Sequence, residues 1–276
     1  MYDFYFGSRE KIESDQERYL LFIKRMLPRW TNSIPDSEYL ALHHLLAAAD
    51  FEGRRPVFVE TGVGASSIPL LHHAFKNEGV LYSWDMNGLK GAYLRGVMTD
   101  TLAAHHEKAL TRHWKFIAYN SHSAGAGLPI LGELGVQVDF CFLDSEHTRD
   151  VLLGEVERLQ PFLRDGAVVA IDDANYDYVH TNTAYVNMVR KKVGLGPLED
   201  PPGNRGKVFY QDVEDFLKTR WKQVEHLSDT YKTSYRSDLF WSYYDADRQA
   251  MGEQGMEKLG ALEHRFDSWR VRGRLP

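Results

Sequence analysis

Pro56-Val57-Phe58-Val59-Glu60-Thr61-Gly62-Val63-Gly64-Ala65-Ser66-Ser67 runs from a short apolar segment into a turn with two glycines. A helical pattern begins near Ser66, and Pro69 falls in its first turn, where a missing N–H is tolerated. Glycines at such a junction let the backbone turn sharply and let a ligand come close to the main chain. Strand, glycine loop and helix in that order are the setting of a nucleotide-binding loop at the carboxyl end of a parallel strand. A dinucleotide fingerprint would carry a third glycine at position 67, where Ser67 stands. For an adenosine ligand without phosphates that departure matters little.

Working outward, the same alternation recurs. Short apolar runs at Val80-Leu81-Tyr82-Ser83-Trp84-Asp85, Lys115 to Tyr119, Val136 to Asp144 and Ala167 to Asp172 are separated by helical stretches. This predicts an α/β chain built on a parallel sheet. Between the last two runs, Leu152, Val156, Leu159 and Leu163 have near-helical spacing, and Gly166 reads as the stop. Trp221 to Leu227 and Asp238 to Tyr244 read as two more strands in a terminal hairpin. Upstream, Ser8 can cap a helix through Tyr19, Leu20, Phe22, Ile23 and Met26. Pro35-Asp36-Ser37 opens a second with Leu40, Leu42, Leu45 and Leu46. The expected division is a helical cap or oligomer contact over 1–50, an α/β domain over 51–245, and a polar tail over 246–276 ending in Arg270, Arg272 and Arg274.

The composition narrows the partners. The 276 residues are 43% hydrophobic and 26% charged, ordinary values for a globular chain. Thirty-three basic against 39 acidic residues give a net charge of −6, so no basic surplus points to nucleic acid or an anionic membrane. The single cysteine, Cys141, excludes an internal disulfide and any zinc site with several thiolates. No run approaches the ~20 apolar residues of a membrane helix, and Met1-Tyr2-Asp3-Phe4 lacks a signal pattern. A reducing cytosol is the expected compartment.

The strand ends carry the chemistry. Asp85 stands 21 positions after Gly64, where a carboxylate can accept both hydroxyls of a ribose. Nicotinamide-dependent and S-adenosylmethionine-dependent enzymes share that feature, so it does not choose between them. Asp144-Ser145-Glu146-His147 and Asp172-Asp173 choose. The two segments lie 28 positions apart, about one crossover helix and its loops. Parallel pairing would set them side by side, roughly 5 Å apart, and three carboxylates that close favour a bound cation. Oxygen ligands suit magnesium or another hard divalent ion. His147 is placed to act as a general base toward a nearby hydroxyl. Tyr176, Tyr178 and His180 follow as candidate pocket walls. The histidine doublets at 43–44, 72–73 and 105–106 lie on helical stretches, lack an HExxH pattern and receive no role.

Together Glu60-x-Gly62-x-Gly64-x-Ser66, Asp85, Asp144-Ser145-Glu146-His147 and Asp172-Asp173 resemble a class I S-adenosylmethionine-dependent methyltransferase. The likeness is greatest to the group with cephalosporin-hydroxylase-like and macrolide-sugar O-methyltransferase-like members, and it covers residues 50 to 245. Ser66 departs from the third glycine of the commonest motif. The resemblance implies a Rossmann-like, seven-stranded, mostly parallel sheet with its last strand antiparallel, helices on both faces and an N-terminal helical extension. It places Glu60, Thr61, Gly62 and Gly64 around the methionine part of the cofactor, with Ser66 also among the cofactor-binding residues. Asp85 holds the ribose, and Asn120 and Ser121 lie near the adenine. Asp144, Asp172 and Asp173 bind the metal, Asp144 also borders the cofactor, and His147 and Asp144 act in catalysis.

The expected activity is O-methylation of a small hydroxylated molecule such as a sugar or secondary metabolite, with no nucleic acid or membrane partner. A homo-oligomer through the N-terminal helices fits the pattern. The rivals are an NAD(P)-dependent oxidoreductase and a non-catalytic binding protein of methyltransferase fold.

Overall fold

A computed structural model describes residues 14–34, 36–102, 107–146, 149–172, 174, 191–192, 194, 196–197, 210–227 and 267–276. Helix α1 spans Gln16–Met26 and α2 spans Asp36–Ala48. They are followed by β1 Val57–Thr61, α3 Ser67–Lys76, β2 Val80–Trp84, α4 Gly88–Asp100, α5 Glu107–His113 and β3 Trp114–Ile117. Next come α6 Ile130–Glu133, β4 Val138–Leu143, α7 Arg149–Leu159, β5 Leu163–Ile171, α8 Tyr210–Lys218, β6 Trp221–His226 and β7 Asp267–Arg274. The seven strands pair in the order β3-β2-β1-β4-β5-β7-β6. β7 runs antiparallel to both of its neighbours, whereas β2/β3 and β4/β5 are parallel. The expected seven-stranded, mostly parallel Rossmann-like sheet with an antiparallel last strand is the one observed.

The chain groups into two compact units. The first takes described residues up to Phe58 and Val63–Ala118. In it, Asp15 rather than Ser8 caps α1, accepting from the Arg18 N–H at 3.2 Å; Ser8 lies outside the described residues. Tyr39 Oη donates to the Leu20 carbonyl at 3.0 Å. The basic end of α1 meets the acidic start of α2: Lys24 Nζ lies 2.7 Å and Arg25 Nη2 2.8 Å from the Asp36 carboxylate. Opposite charges there complement both helix dipoles. Burial pushes the Lys24 pKa down, and Asp36 opposes it.

The second unit takes Val59–Gly62, Tyr119–Ser228 and Arg265–Pro276. All six residues of β4 are buried, as expected of a strand covered on both faces. Here the expected boundaries shift. The helix through Leu152 stops at Leu159, because Pro161 enters a single 3-10 turn; Leu163 and Gly166 belong to β5. The expected partner of β6, 238–244, lies outside the described residues; among the described residues β6 pairs with 267–274. Those residues were expected in a polar tail. They form β7 instead, with Trp269 and Val271 buried while Arg272 and Arg274 are exposed. Arg274 reaches the Pro161 carbonyl at 2.9 Å, and Arg270 the Glu225 carboxylate at 3.3 Å.

Candidate functional site

In the first unit, the second half of the glycine loop meets the end of β2. The Val63 N–H donates to Asp85 Oδ2 at 3.0 Å, and the Asn87 N–H to Oδ1 at 2.7 Å. Lys90 Nζ stands 3.4 Å from Oδ2. A carboxylate has about four acceptor positions, so these bonds fix Asp85 and still leave capacity for a diol. Gly64 N–H donates to Ser67 Oγ at 3.2 Å, and a Cβ at Gly64 would stand 3.3 Å from the Thr31 carbonyl oxygen. Ser66 is buried at the N-cap position of α3 and makes no side-chain cap bond. A glycine is not required there, because its backbone is in the ordinary helical region.

In the second unit, Gly62 has φ +80°, and a Cβ there would lie 1.7 Å from the Asp144 carbonyl oxygen. Only a glycine lets the two backbones approach so closely. Beside it, the Asp144 N–H donates to the Thr61 carbonyl at 2.8 Å. Glu60 and Thr61 are buried. Leu143 and Ile171 are register partners, and the Asp172 N–H donates to the Leu143 carbonyl at 2.9 Å. Asp144 and Asp172 therefore leave neighbouring parallel strands side by side, with main chains about 5 Å apart. Asp144 is half-buried and Asp172 buried. Asp173 and His147 lie outside the described residues, as do Tyr176, Tyr178 and His180. Among the described residues, no group of three or more His, Cys, Asp or Glu is placed to hold a metal ion.

Asn120 and Ser121 begin a tight loop after β3. Asn120 is exposed, and its Oδ1 accepts from the His122 N–H at 2.8 Å. Ser121 is buried, and its hydroxyl donates to Glu155 Oε1 at 2.5 Å. Thr61 Oγ1 donates to the other oxygen of the same carboxylate at 2.9 Å. Ser145 Oγ is buried nearby without a well-formed hydrogen bond among the described residues, although its hydroxyl also helps hold the Glu155 pKa down. Burial dominates and pushes the Glu155 pKa up. The sequence pattern alone gives Glu155 no role. It occupies one turn of the buried side of α7 beside Leu152, Val156 and Leu159, where periodicity calls for an apolar residue. That mismatch was the available signal.

Residues 59–174 match the family model described as "Methyltransferase domain". No curated protein matches the chain. Among solved structures, a protein of Corynebacterium glutamicum is 11% identical with a TM-score of 0.52, covering 96% of this chain and 95% of its own. A cofactor-bound protein from MTB is 13% identical with a TM-score of 0.50, covering 98% and 94%. These two likenesses concern the fold. An O-methyltransferase of Streptomyces achromogenes involved in tomaymycin synthesis, solved with SAM, is 13% identical with a TM-score of 0.49, covering 94% and 90%.

Proposed function

We propose, on the premise that residues 59–174 form a methyltransferase domain, that the protein transfers a methyl group from S-adenosylmethionine to a hydroxyl of a small molecule. The observation that carries this reading is the glycine loop. Gly62 is pressed against the Asp144 backbone, and Val63 is tied to the Asp85 carboxylate. A glycine turn beside a fixed acidic strand end suits an adenosine ligand. In this reading Glu60 to Gly64 border the methionine part, Ser66 belongs to the same cofactor loop, and Asp85 accepts the ribose hydroxyls. Asn120 lies toward the adenine. Ser121 acts from beneath, because its hydroxyl is already given to Glu155.

The sulfonium methyl is already a strong electrophile, so the protein's task is to align oxygen, carbon and sulfur in line. The new O–C bond forms as the C–S bond breaks, the sulfonium becomes the thioether of S-adenosylhomocysteine, and His147 takes the hydroxyl proton. The ends of β4 and β5 bring the Asp144 and Asp172 backbones side by side, and in this reading their carboxylates, with that of Asp173, would hold a hard divalent cation. Such an ion would lower the pKa of the acceptor hydroxyl.

The test uses S-adenosylmethionine labelled in the methyl group and a panel of sugars, phenols and other hydroxylated metabolites. Label should pass to at least one acceptor and be lost on Asp172→Ala or on chelation. Transfer that survives both would remove the metal from the account. Label that reaches no hydroxylated acceptor while the protein binds S-adenosylhomocysteine would count against O-methylation.

A further inference from the structure

We propose that Glu155 is a positioning residue of the cofactor site, a buried carboxylate that holds the end of β1 and the loop at Ser121, beside the end of β4, in the arrangement the cofactor meets. The proposal rests on the methyl-transfer reading above. Glu155 is fully buried in α7, and its two oxygens take different loops. Oε2 accepts from Thr61 and Oε1 from Ser121, 94 and 34 positions away in the chain. The Ser145 hydroxyl lies buried beside them.

Each of these hydroxyl residues is the chain neighbour of a group assigned to the cofactor or acceptor. Thr61 precedes Gly62, Ser121 follows Asn120, and Ser145 follows Asp144. The loops are also stiff at those points. The Asp144 N–H is bonded to the Thr61 carbonyl and the Leu128 N–H to the Ser121 carbonyl, each at 2.8 Å. A carboxylate that moves one of these hydroxyls therefore moves the end of β1 or the loop at Ser121.

Stability alone does not explain a carboxylate here. Leu152, Val156 and Leu159 bury the same side of α7, and a leucine at 155 would avoid desolvating a charge but take the acceptor from the buried Thr61 and Ser121 hydroxyls. A carboxylate adds direction: two hydroxyl bonds at fixed angles specify where the loops stand, whereas apolar packing would let them slide. Oriented groups held by buried partners are what a binding site needs from its supporting residues.

The experiment measures S-adenosylhomocysteine affinity by calorimetry and melting temperature by circular dichroism on the full chain. Wild type is compared with Glu155→Gln and Glu155→Leu. The glutamine keeps an acceptor oxygen, and the hydroxyls can rotate to accept from its amide, so its Kd should stay within about fivefold of wild type. The leucine variant should fold and bind more than tenfold more weakly, whichever way its melting temperature moves. A folded leucine variant with wild-type affinity overturns the proposal. Should Glu155→Leu fail to fold, Ser121→Ala removes the Oε1 bond at a buried side chain whose hydroxyl is given to Glu155 rather than to the cofactor. A Kd raised at least threefold supports the assignment, and an unchanged Kd overturns it. Wild-type protein that does not bind S-adenosylhomocysteine defeats the methyl-transfer reading itself, a result distinct from loss of the Glu155 role alone.

Discussion

Replacing Gly62 with alanine puts a methyl group where the Asp144 carbonyl oxygen already stands. The added Cβ would lie 1.7 Å from that oxygen and 2.5 Å from the carbonyl carbon. Both are backbone atoms, so no side chain can swing away, and the strand ends must part by more than 1 Å to restore a normal contact. The left-handed φ of +80° adds a steric cost of about 1–2 kcal/mol for a residue with a Cβ. Forcing apart a packed junction adds about 1–3 kcal/mol. A loss of about 2–5 kcal/mol is expected, part of a total stability of about 5–15 kcal/mol, so the variant should fold but melt roughly 5–15 °C lower. Gly64→Ala is the control: its nearest neighbour, the Thr31 carbonyl oxygen, would be at 3.3 Å, and the loss should stay near 1 kcal/mol or below. Thermal melts by circular dichroism, paired with S-adenosylhomocysteine titrations, read both effects. Gly62→Ala should cost stability and affinity together. A Gly62→Ala protein with wild-type melting and affinity, or a Gly64→Ala protein that is worse, would refute the close-approach argument.

Other outcomes follow from buried titratable groups. His43 and His73 share a 3.0 Å hydrogen bond between α2 and α3, and burial lowers their pKa values to about 4 and about 3 from 6.5. Folded pKa values below the unfolded value mean that the unfolded chain binds more protons. Stability is therefore full above pH 7 and falls as pH drops below 6.5, by about 1.4 kcal/mol per pH unit for each histidine and roughly 4 kcal/mol in sum at pH 5. Melting temperature measured from pH 7.5 to 5 should fall accordingly, and a His43→Leu/His73→Leu double variant should flatten the slope; an equal slope would place the acid sensitivity elsewhere. Cys141 is fully buried with its pKa pushed up to about 12, so a thiol reagent should leave the native protein unmodified and label it on unfolding. Prompt labelling of native protein would show that β4 opens.

Much of this structure was legible in the sequence. The run from Val57 to Ser67 declared a strand, a turn and a helix through apolar content followed by two glycines, and the structure keeps that order. The acidic strand ends were visible because apolar runs stop abruptly at Asp85, Asp144 and Asp172. β7 was hidden by three arginines, although Trp269 and Val271 alternate with Arg270, Arg272 and Arg274 at the period of a strand with one face covered. Leu163 was misplaced because helix and strand patterns merge where Pro161 ends α7 and β5 begins without a loop. Glu155 could not be assigned from the sequence, since its meaning lies in hydroxyls 94 and 34 residues away. Long-range polar contacts leave no periodic trace; an acidic residue on the buried side of an amphipathic helix is the only local sign.

The most direct test of the central claim is calorimetric titration of the protein with S-adenosylhomocysteine, run beside NAD and repeated on Asp85→Ala. The account predicts one site for S-adenosylhomocysteine, no binding of NAD, and at least a tenfold loss on Asp85→Ala, since hydrogen bonds to a carboxylate are worth about 1.5–3 kcal/mol each. Binding of NAD with none of S-adenosylhomocysteine, or an Asp85→Ala protein with unchanged affinity, would contradict it.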